Sequence, residues 1–196
     1  MPAPLASNYG YLAPGTRADG SPVILKVSFP EREFFTGAEA LRLYDGRGSV
    51  SILESDLDAG AILLERLSPG TMLNDLPDDE EATAIAAPLM RRLWRPAPVV
   101  HRFPTIAGWM LRMEEAPRLV GPARPFPLKW SEHALSLFHQ LAATAAEPTL
   151  LHGDLHHYNI LATEREPWLA IDPKGVVGEP VWEVGAFVSN NLPEGL

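Results

Sequence analysis

Residues 150–161 read LLHGDLHHYNIL, placing three histidines, one aspartate and one asparagine between leucines. Asn159 follows Asp154 by five residues, and Asp172 lies eighteen residues beyond Asp154 in the stretch IDPKG. Carboxylate and amide oxygens are hard donors suited to a divalent cation such as Mg²⁺. A carboxylate next to them can take the proton of a hydroxyl nucleophile. A second chemistry is open to the same residues: His152, Asp154, His156 and His157 offer imidazole and carboxylate ligands within six residues, as a His/Asp metal hydrolase requires. The remaining histidines, His101, His133 and His139, are scattered and add nothing obvious to such a cluster. A third reading is turn chemistry alone, with Asp and Asn side chains bonding nearby backbone.

The elements around these residues decide what they can reach. Thr149-Leu150-Leu151, Asn159-Ile160-Leu161 and Trp168-Leu169-Ala170-Ile171 are short apolar runs of strand type, so two carboxylate-bearing loops follow adjacent strands. Upstream, the turn Ala18 to Pro22 separates two extended segments, the second being Val23 to Val27 with Lys26 embedded in it. Thr36 to Tyr44 is predicted as a short amphipathic helix with Ala38, Ala40, Leu41 and Leu43 on its apolar side. Val50 to Glu54 and Ala61 to Leu67 read as two more strands, and Leu67-Ser68-Pro69-Gly70 reads as a joint without further ladder partners. From Asp78 the period changes to helical. Ala84, Ile85, Leu89, Leu93 and Trp94 recur up to Arg95-Pro96, a second helix is expected after Pro104, and a third over Ser131 to Ala146 turns Leu135, Phe138, His139 and Leu141 inward. The expected fold class is α+β, with a β-rich first part carrying one helix and a mainly helical second part.

His, any residue, Asp, four residues, Asn, then a separate Asp at a strand end is the order of a protein-kinase catalytic loop and its metal loop. Phosphoryl transfer needs positioning and charge neutralisation more than covalent chemistry. On this reading Asp172 and Asn159 supply oxygens to Mg²⁺, Asp154 receives the proton of the attacking hydroxyl, and Lys26 adds positive charge from the first part of the chain. A lysine within an apolar strand needs an anion. Glu39 on the following helix is the first candidate and Glu33 the second.

This set resembles the aminoglycoside phosphotransferase family, in its streptomycin 6-kinase and hydroxyurea phosphotransferase branch. The resemblance rests on VILKV, AEALRLYDGRG, AILLERLSPG, LLHGDLHHYNIL and WLAIDPKGVVGEP, which together cover most of the chain. It implies a protein-kinase-like two-lobed fold, a β-rich nucleotide-binding small lobe over residues 1–67 and a helical large lobe over 68–196. It also implies ATP and Mg²⁺ as cofactors, Asp154 as catalytic aspartate, Asn159 and Asp172 as metal ligands, and Lys26 with Glu39 as the phosphate-positioning pair. Glu65-Arg66-Leu67 becomes the hinge whose backbone meets adenine, so Glu65 and Leu67 are cofactor-binding residues. The implied activity is ATP-dependent transfer to a hydroxyl of a streptomycin-like aminoglycoside or hydroxyurea, with a catalytically impaired nucleotide-binding remnant as the alternative. Three departures stand out. No Gly-rich loop precedes Lys26, the first strand of the small lobe and the C-terminal helices are expected to be missing, and Glu179 and Glu183 occupy positions expected to be aspartates in the segment bracing the catalytic loop.

Composition agrees with a small-molecule enzyme. Asp and Glu number 25 against 16 Lys and Arg, a formal charge of −9 that repels nucleic acid and anionic membranes and favours a cationic small molecule as partner. The absence of cysteine excludes disulfides and thiolate metal sites. With 46% hydrophobic residues a packed core is expected, and the N-terminal stretch lacks a basic region followed by an apolar run, so the expected location is cytoplasmic.

Overall fold

The Asp19-Gly20 turn closes the first hairpin. Ser21 donates from its backbone N–H and its hydroxyl to Asp19 Oδ1 at 2.9 and 2.6 Å, and Gly20 takes φ +87, a conformation that costs glycine nothing. The computed structural model describes residues 10–112, 128–142 and 148–189. Strands β1 (Tyr11–Thr16) and β2 (Pro22–Val27) pair antiparallel, and the chain then forms α1 (Arg32–Tyr44), β3 (Ile52–Asp56) and β4 (Ala61–Glu65). The resulting sheet has the order β1-β2-β4-β3. Strand β2 is therefore interior, and Lys26 lies opposite Leu12 on one side and Ile62 on the other. Helix α1 begins four residues before the expected Thr36, with Glu31 as an extended N-cap and Phe35 N–H bonded to Glu31 O. It buries Ala38 and Leu41 against Val50, Ile62 and Leu64.

The chain continues through β5 (Pro69–Met72), α2 (Asp79–Leu93), β6 (Arg95–Pro96), a helical stretch α3 over residues 106–112, and α4 (Leu128–Ala142). It closes with β7 (Thr149–Leu151), β8 (Ile160–Thr163), β9 (Trp168–Ala170), β10 (Val176–Gly178) and α5 (Val181–Ser189). Two three-stranded sheets result, in the orders β5-β8-β9 and β10-β7-β6. Asp78 caps α2, accepting from the N–H groups of Glu80 and Glu81. The main core gathers Tyr44, Leu73, Leu89, Leu93, Leu150, Leu155, Ile160, Ala170 and Phe187, so α2, the two small sheets and α5 share one apolar interior. Among the described residues no helix is long and apolar enough to cross a membrane.

Three expectations change, and two unexpected strands appear. Ser68 to Gly70 is not a bare joint: Pro69 opens β5 opposite Thr163, a place a proline can hold because the first residue of a strand need not donate to the ladder. The inward face of α2 is Ala82, Ala86, Leu89, Met90 and Leu93, whereas Ala84 is exposed. Helix α4 starts at Leu128, with Phe138 buried and His139 exposed; residues 143–146 of the expected helix, and the side chain of Leu141, lie outside the described residues. Strands β6 and β10 are too short to show a period in sequence, and only their pairing with β7 reveals them.

The two parts of the chain are tied at the level of the backbone. Val50 N–H donates to Ala170 O and Ala170 N–H to Gly48 O, both at 2.9 Å. Arg165, in the β8–β9 turn, reaches Gly46 O at 2.9 Å, Ser49 O at 3.1 Å and both carboxylate oxygens of Glu65 at 2.6 and 3.2 Å. Glu65 Oε1 in turn accepts from Ser51 N–H at 2.8 Å. One guanidinium thus links the end of α1, the end of β4 and the β8–β9 hairpin through a planar fork of donors that lysine does not have. Replacing Arg165 by Ala should lower unfolding stability by about 2 kcal/mol in a urea titration, whereas Arg165→Lys should recover less than half of that.

Candidate active site

Strand β7 runs through the middle of its sheet and delivers His152, Gly153 and Asp154 at its end. Asn159 ends a 3₁₀ turn (His157–Asn159) directly before β8, and Asp172 follows β9 by two residues. Ile171 N–H donates to Asn159 O at 2.9 Å, so the strand pairing itself holds the two metal-ligand candidates side by side. Asp172 adopts φ +56, the left-handed region that aspartate tolerates better than most residues.

His152 connects the two loops. Fully buried, it donates its backbone N–H to Glu183 Oε2 at 2.7 Å, and its carbonyl accepts from the N–H groups of Lys174 and Gly175 at 2.9 and 3.0 Å. Its Nε2 lies 2.8 Å from Ile171 O, an acceptor only, so Nε2 carries the proton and Nδ1 accepts from Asp154 N–H at 3.3 Å. Burial pushes the ring down to about 4, so it is neutral near pH 7. Glu183, 1% exposed on α5, also receives Gly153 N–H at 3.0 Å. Burial raises its carboxyl to about 7 against the opposing pull of the N–H groups of Gly153, His152 and Leu155. The bracing segment anticipated in sequence is thus present, with glutamate as the bracing carboxylate.

Four of the residues singled out in the sequence converge. Lys26 forms an ion pair with Asp172 across the two parts of the chain. Asn159 donates from Nδ2 to Asp154 O at 3.0 Å, which assigns the amide and leaves Oδ1 as the acceptor available to a cation. Asp172, with a side chain 59% exposed, supplies a second oxygen. Two protein oxygens fit Mg²⁺, which usually takes one or two protein groups and completes its shell with phosphates and water. The remaining candidates lie apart from these four. Glu39 is half-buried on α1 without an ion pair among the described residues, and Glu33 is exposed, so the partner of Lys26 here is neither glutamate. Leu67 packs at the edge of the α1 cluster, while the Glu65 carboxylate is committed to Arg165 and Ser51.

Two residues that sequence reading left without a role belong here. Lys174 places Nζ 3.3 Å from Asp154 Oδ2. Thr36, buried on α1, donates to Lys174 O at 2.6 Å. Glu183 had a legible signal, as the only charge in the helix VWEVGAFVS, whereas Thr36 had none. The histidine cluster is dispersed. Both ring nitrogens of His152 are engaged, His157 stacks on Phe187 at 4.1 Å between centroids, and the His156 Nε2 faces Asn159 Nδ2 at 3.2 Å. Among the described residues no group of three or more His, Cys, Asp or Glu is arranged to hold a metal ion, so the hydrolase ligand set is not assembled.

The two buried groups titrate in opposite senses. His152, lowered from 6.5 to about 4, contributes stability that is present above pH 6.5 and is lost as pH falls towards 4. Glu183, raised from 4.5 to about 7, contributes stability that is present below pH 4.5 and is lost as pH rises towards 7. Their slopes oppose one another between about pH 4.5 and 6.5. Urea titrations at pH 5 and pH 7 should therefore show the Glu183→Gln variant losing more stability on acidification than the parent, by about 1–3 kcal/mol.

Known proteins resemble this chain in sequence and in fold. A model of the aminoglycoside/hydroxyurea antibiotic resistance kinase family matches residues 4–195. The chain is 40% identical over 190 residues to a hydroxyurea phosphotransferase of Kitasatospora aureofaciens, covering 93% of this chain and 54% of that protein. It is 38% identical over 174 residues to a streptomycin 6-kinase of Streptomyces glaucescens, covering 87% and 56% respectively. The chain spans about half the length of these curated relatives. A thermostable mutant of the aminoglycoside phosphotransferase APH(4)-Ia, solved as a ternary complex with ADP and hygromycin B, superposes with a TM-score of 0.68 at 15% identity, over 94% of this chain and 70% of that one. The fold is therefore the two-lobed α+β fold of these kinases, and with its His-Gly-Asp loop, its strand-end Asp172 and its β2 lysine the chain belongs to the aminoglycoside/hydroxyurea antibiotic resistance kinase family.

Proposed function

We propose that this chain carries the phosphotransfer centre of an ATP-dependent kinase acting on a hydroxyl of a small polar molecule, streptomycin-like or hydroxyurea. The observation that supports this best is the meeting of Asp154, Asn159, Asp172 and Lys26 at the ends of β7, β8, β9 and β2. Asp154 accepts the proton of the acceptor hydroxyl, so no covalent enzyme intermediate is needed. Asn159 Oδ1 and the Asp172 carboxylate would hold Mg²⁺, which neutralises phosphate charge when bound. Lys26 orients the phosphates, and Glu39 is the anion proposed to steady it once Asp172 is engaged by a cation. The backbone of Glu65 and Leu67 is proposed to meet the adenine. Residues 1–67 serve as the nucleotide-binding small lobe and residues 68–196 as the large lobe. The surplus of acidic residues favours a cationic acceptor over an anionic one.

Ligand binding to the folded state stabilises it, so ATP at ten times its dissociation constant with Mg²⁺ should raise Tm by about 4 °C. Asp172→Ala should lose the Mg²⁺-dependent part of that shift. Asp154→Ala should keep most of it and lose turnover by about 10²- to 10⁴-fold. Mass spectrometry of streptomycin and of hydroxyurea incubated with protein and Mg-ATP should show a product 80 Da heavier, the mass of one added phosphoryl group. A product made equally well by Asp154→Ala would move catalysis to another site, and a Tm shift without product would favour nucleotide binding alone.

A further inference from the structure

The Lys174 main chain is immobilised from two directions. Its N–H donates to His152 O at 2.9 Å, and its carbonyl accepts the Thr36 hydroxyl at 2.6 Å. On one side of it, a Cβ at Gly37 would overlap the Pro173 carbonyl oxygen, so α1 rests directly on this loop. On the other, Gly175 takes φ +67, and a side chain there would lie 2.7 Å from Thr36 O. The backbone is fixed while the ammonium, on a flexible four-carbon stem, remains able to change partners. Here that ammonium lies 3.3 Å from Asp154 Oδ2, with the lysine side chain 35% exposed and the aspartate 31%. An ion pair so accessible to water contributes little to folding, which gives the tightly built loop no evident structural purpose in presenting it.

Resting on the phosphotransfer reading above, we propose that Lys174 is a further catalytic residue, whose ammonium turns from Asp154 to the phosphoryl group during transfer. In that step the acceptor oxygen forms a bond to the γ-phosphorus, and the bond from that phosphorus to the bridging oxygen breaks. The electron pair of the broken bond stays on the departing nucleoside diphosphate, and the acceptor proton passes to Asp154. Lys174 keeps its proton throughout. Because Asp154 must touch the acceptor hydroxyl, a cation within 3.3 Å of that carboxylate sits beside the point of attack, where charge on the equatorial phosphoryl oxygens has to be met. Lys26 is anchored instead on Asp172, so the two lysines serve different ends of the transferred group.

The test compares the dissociation constant of Mg-ADP with and without aluminium fluoride, which mimics the transferring phosphoryl group, by calorimetry on the parent chain, Lys174→Met and Lys174→Arg. The parent should bind Mg-ADP more tightly when fluoride is present. Lys174→Met should bind Mg-ADP within about threefold of the parent, lose about 100-fold of the tightening, and lose kcat for acceptor phosphorylation by a similar factor with the KM for ATP little changed. Lys174→Arg should recover at least about tenfold of both losses. Full tightening in Lys174→Met would overturn the proposal, as would loss of Mg-ADP binding itself, which would make Lys174 a ground-state nucleotide ligand. Absence of any fluoride effect or turnover in the parent would instead remove the phosphotransfer reading, and this proposal with it.

Discussion

The site depends on His152 having a partner for every polar atom it owns. Its N–H meets Glu183, its carbonyl meets two N–H groups of the 172–175 loop, Nε2 meets Ile171 O, and Nδ1 meets Asp154 N–H. A neutral imidazole has one donor and one acceptor, and both are used, in the single tautomer that the neighbouring carbonyl permits. In a fully buried position each unmade bond would cost the desolvation of the group, so the arrangement holds all at once or not at all. The consequence for chemistry is geometric. One side chain sets the distance between the loop bearing Asp154 and the loop bearing Asp172, and any shift of one loop is felt by the other.

Charge is arranged around that hub in two pairs. Lys26 sits on Asp172 and Lys174 on Asp154, so each of the two loop carboxylates is matched by an ammonium. Both pairs are open to water, where such contacts are weak and readily exchanged. On the proposed function, this suits a centre whose charges would be passed to an incoming phosphate and metal. The Glu183 carboxylate, by contrast, is buried and held by backbone donors only, and it acts on the loop's shape rather than on any ligand.

The lobes are coupled by backbone more than by side-chain charge. Gly37 allows α1 to meet the Pro173 carbonyl, Thr36 caps the Lys174 carbonyl, and the segment 48–50 is hydrogen-bonded to Ala170 of β9. Arg165 adds a polar clasp at the end of β4. Any displacement of α1 must therefore act on the same loop that bears Asp172. Packed interfaces of this kind tend to switch between discrete arrangements rather than deform smoothly.

What the sequence determined by itself was chemistry tied to order along the chain. The spacing of Asp154, Asn159 and Asp172, the lysine within VILKV and the Asp-Gly turn before it are local signals, since loop motifs and turns depend on neighbours a few residues away. Most helices were legible for the same reason, their apolar period repeating over ten residues or more. The tertiary structure decided everything that needed a distant partner. Strand β5 exists because β8 lies beside it, and α2 turns Ala82 inward rather than Ala84 because of where β9 packs. Lys26 meets Asp172 rather than Glu39 because the strand end, not the helix, presents a carboxylate to it. Lys174 could not be placed from sequence, since a lysine after a proline is most often a solvated turn residue. Its position beside Asp154 follows only once Thr36, Gly37 and His152 close around its backbone. Local propensity acts through neighbours in sequence, whereas side-chain pairing depends on contacts between residues more than a hundred positions apart, as Thr36 and Lys174 are.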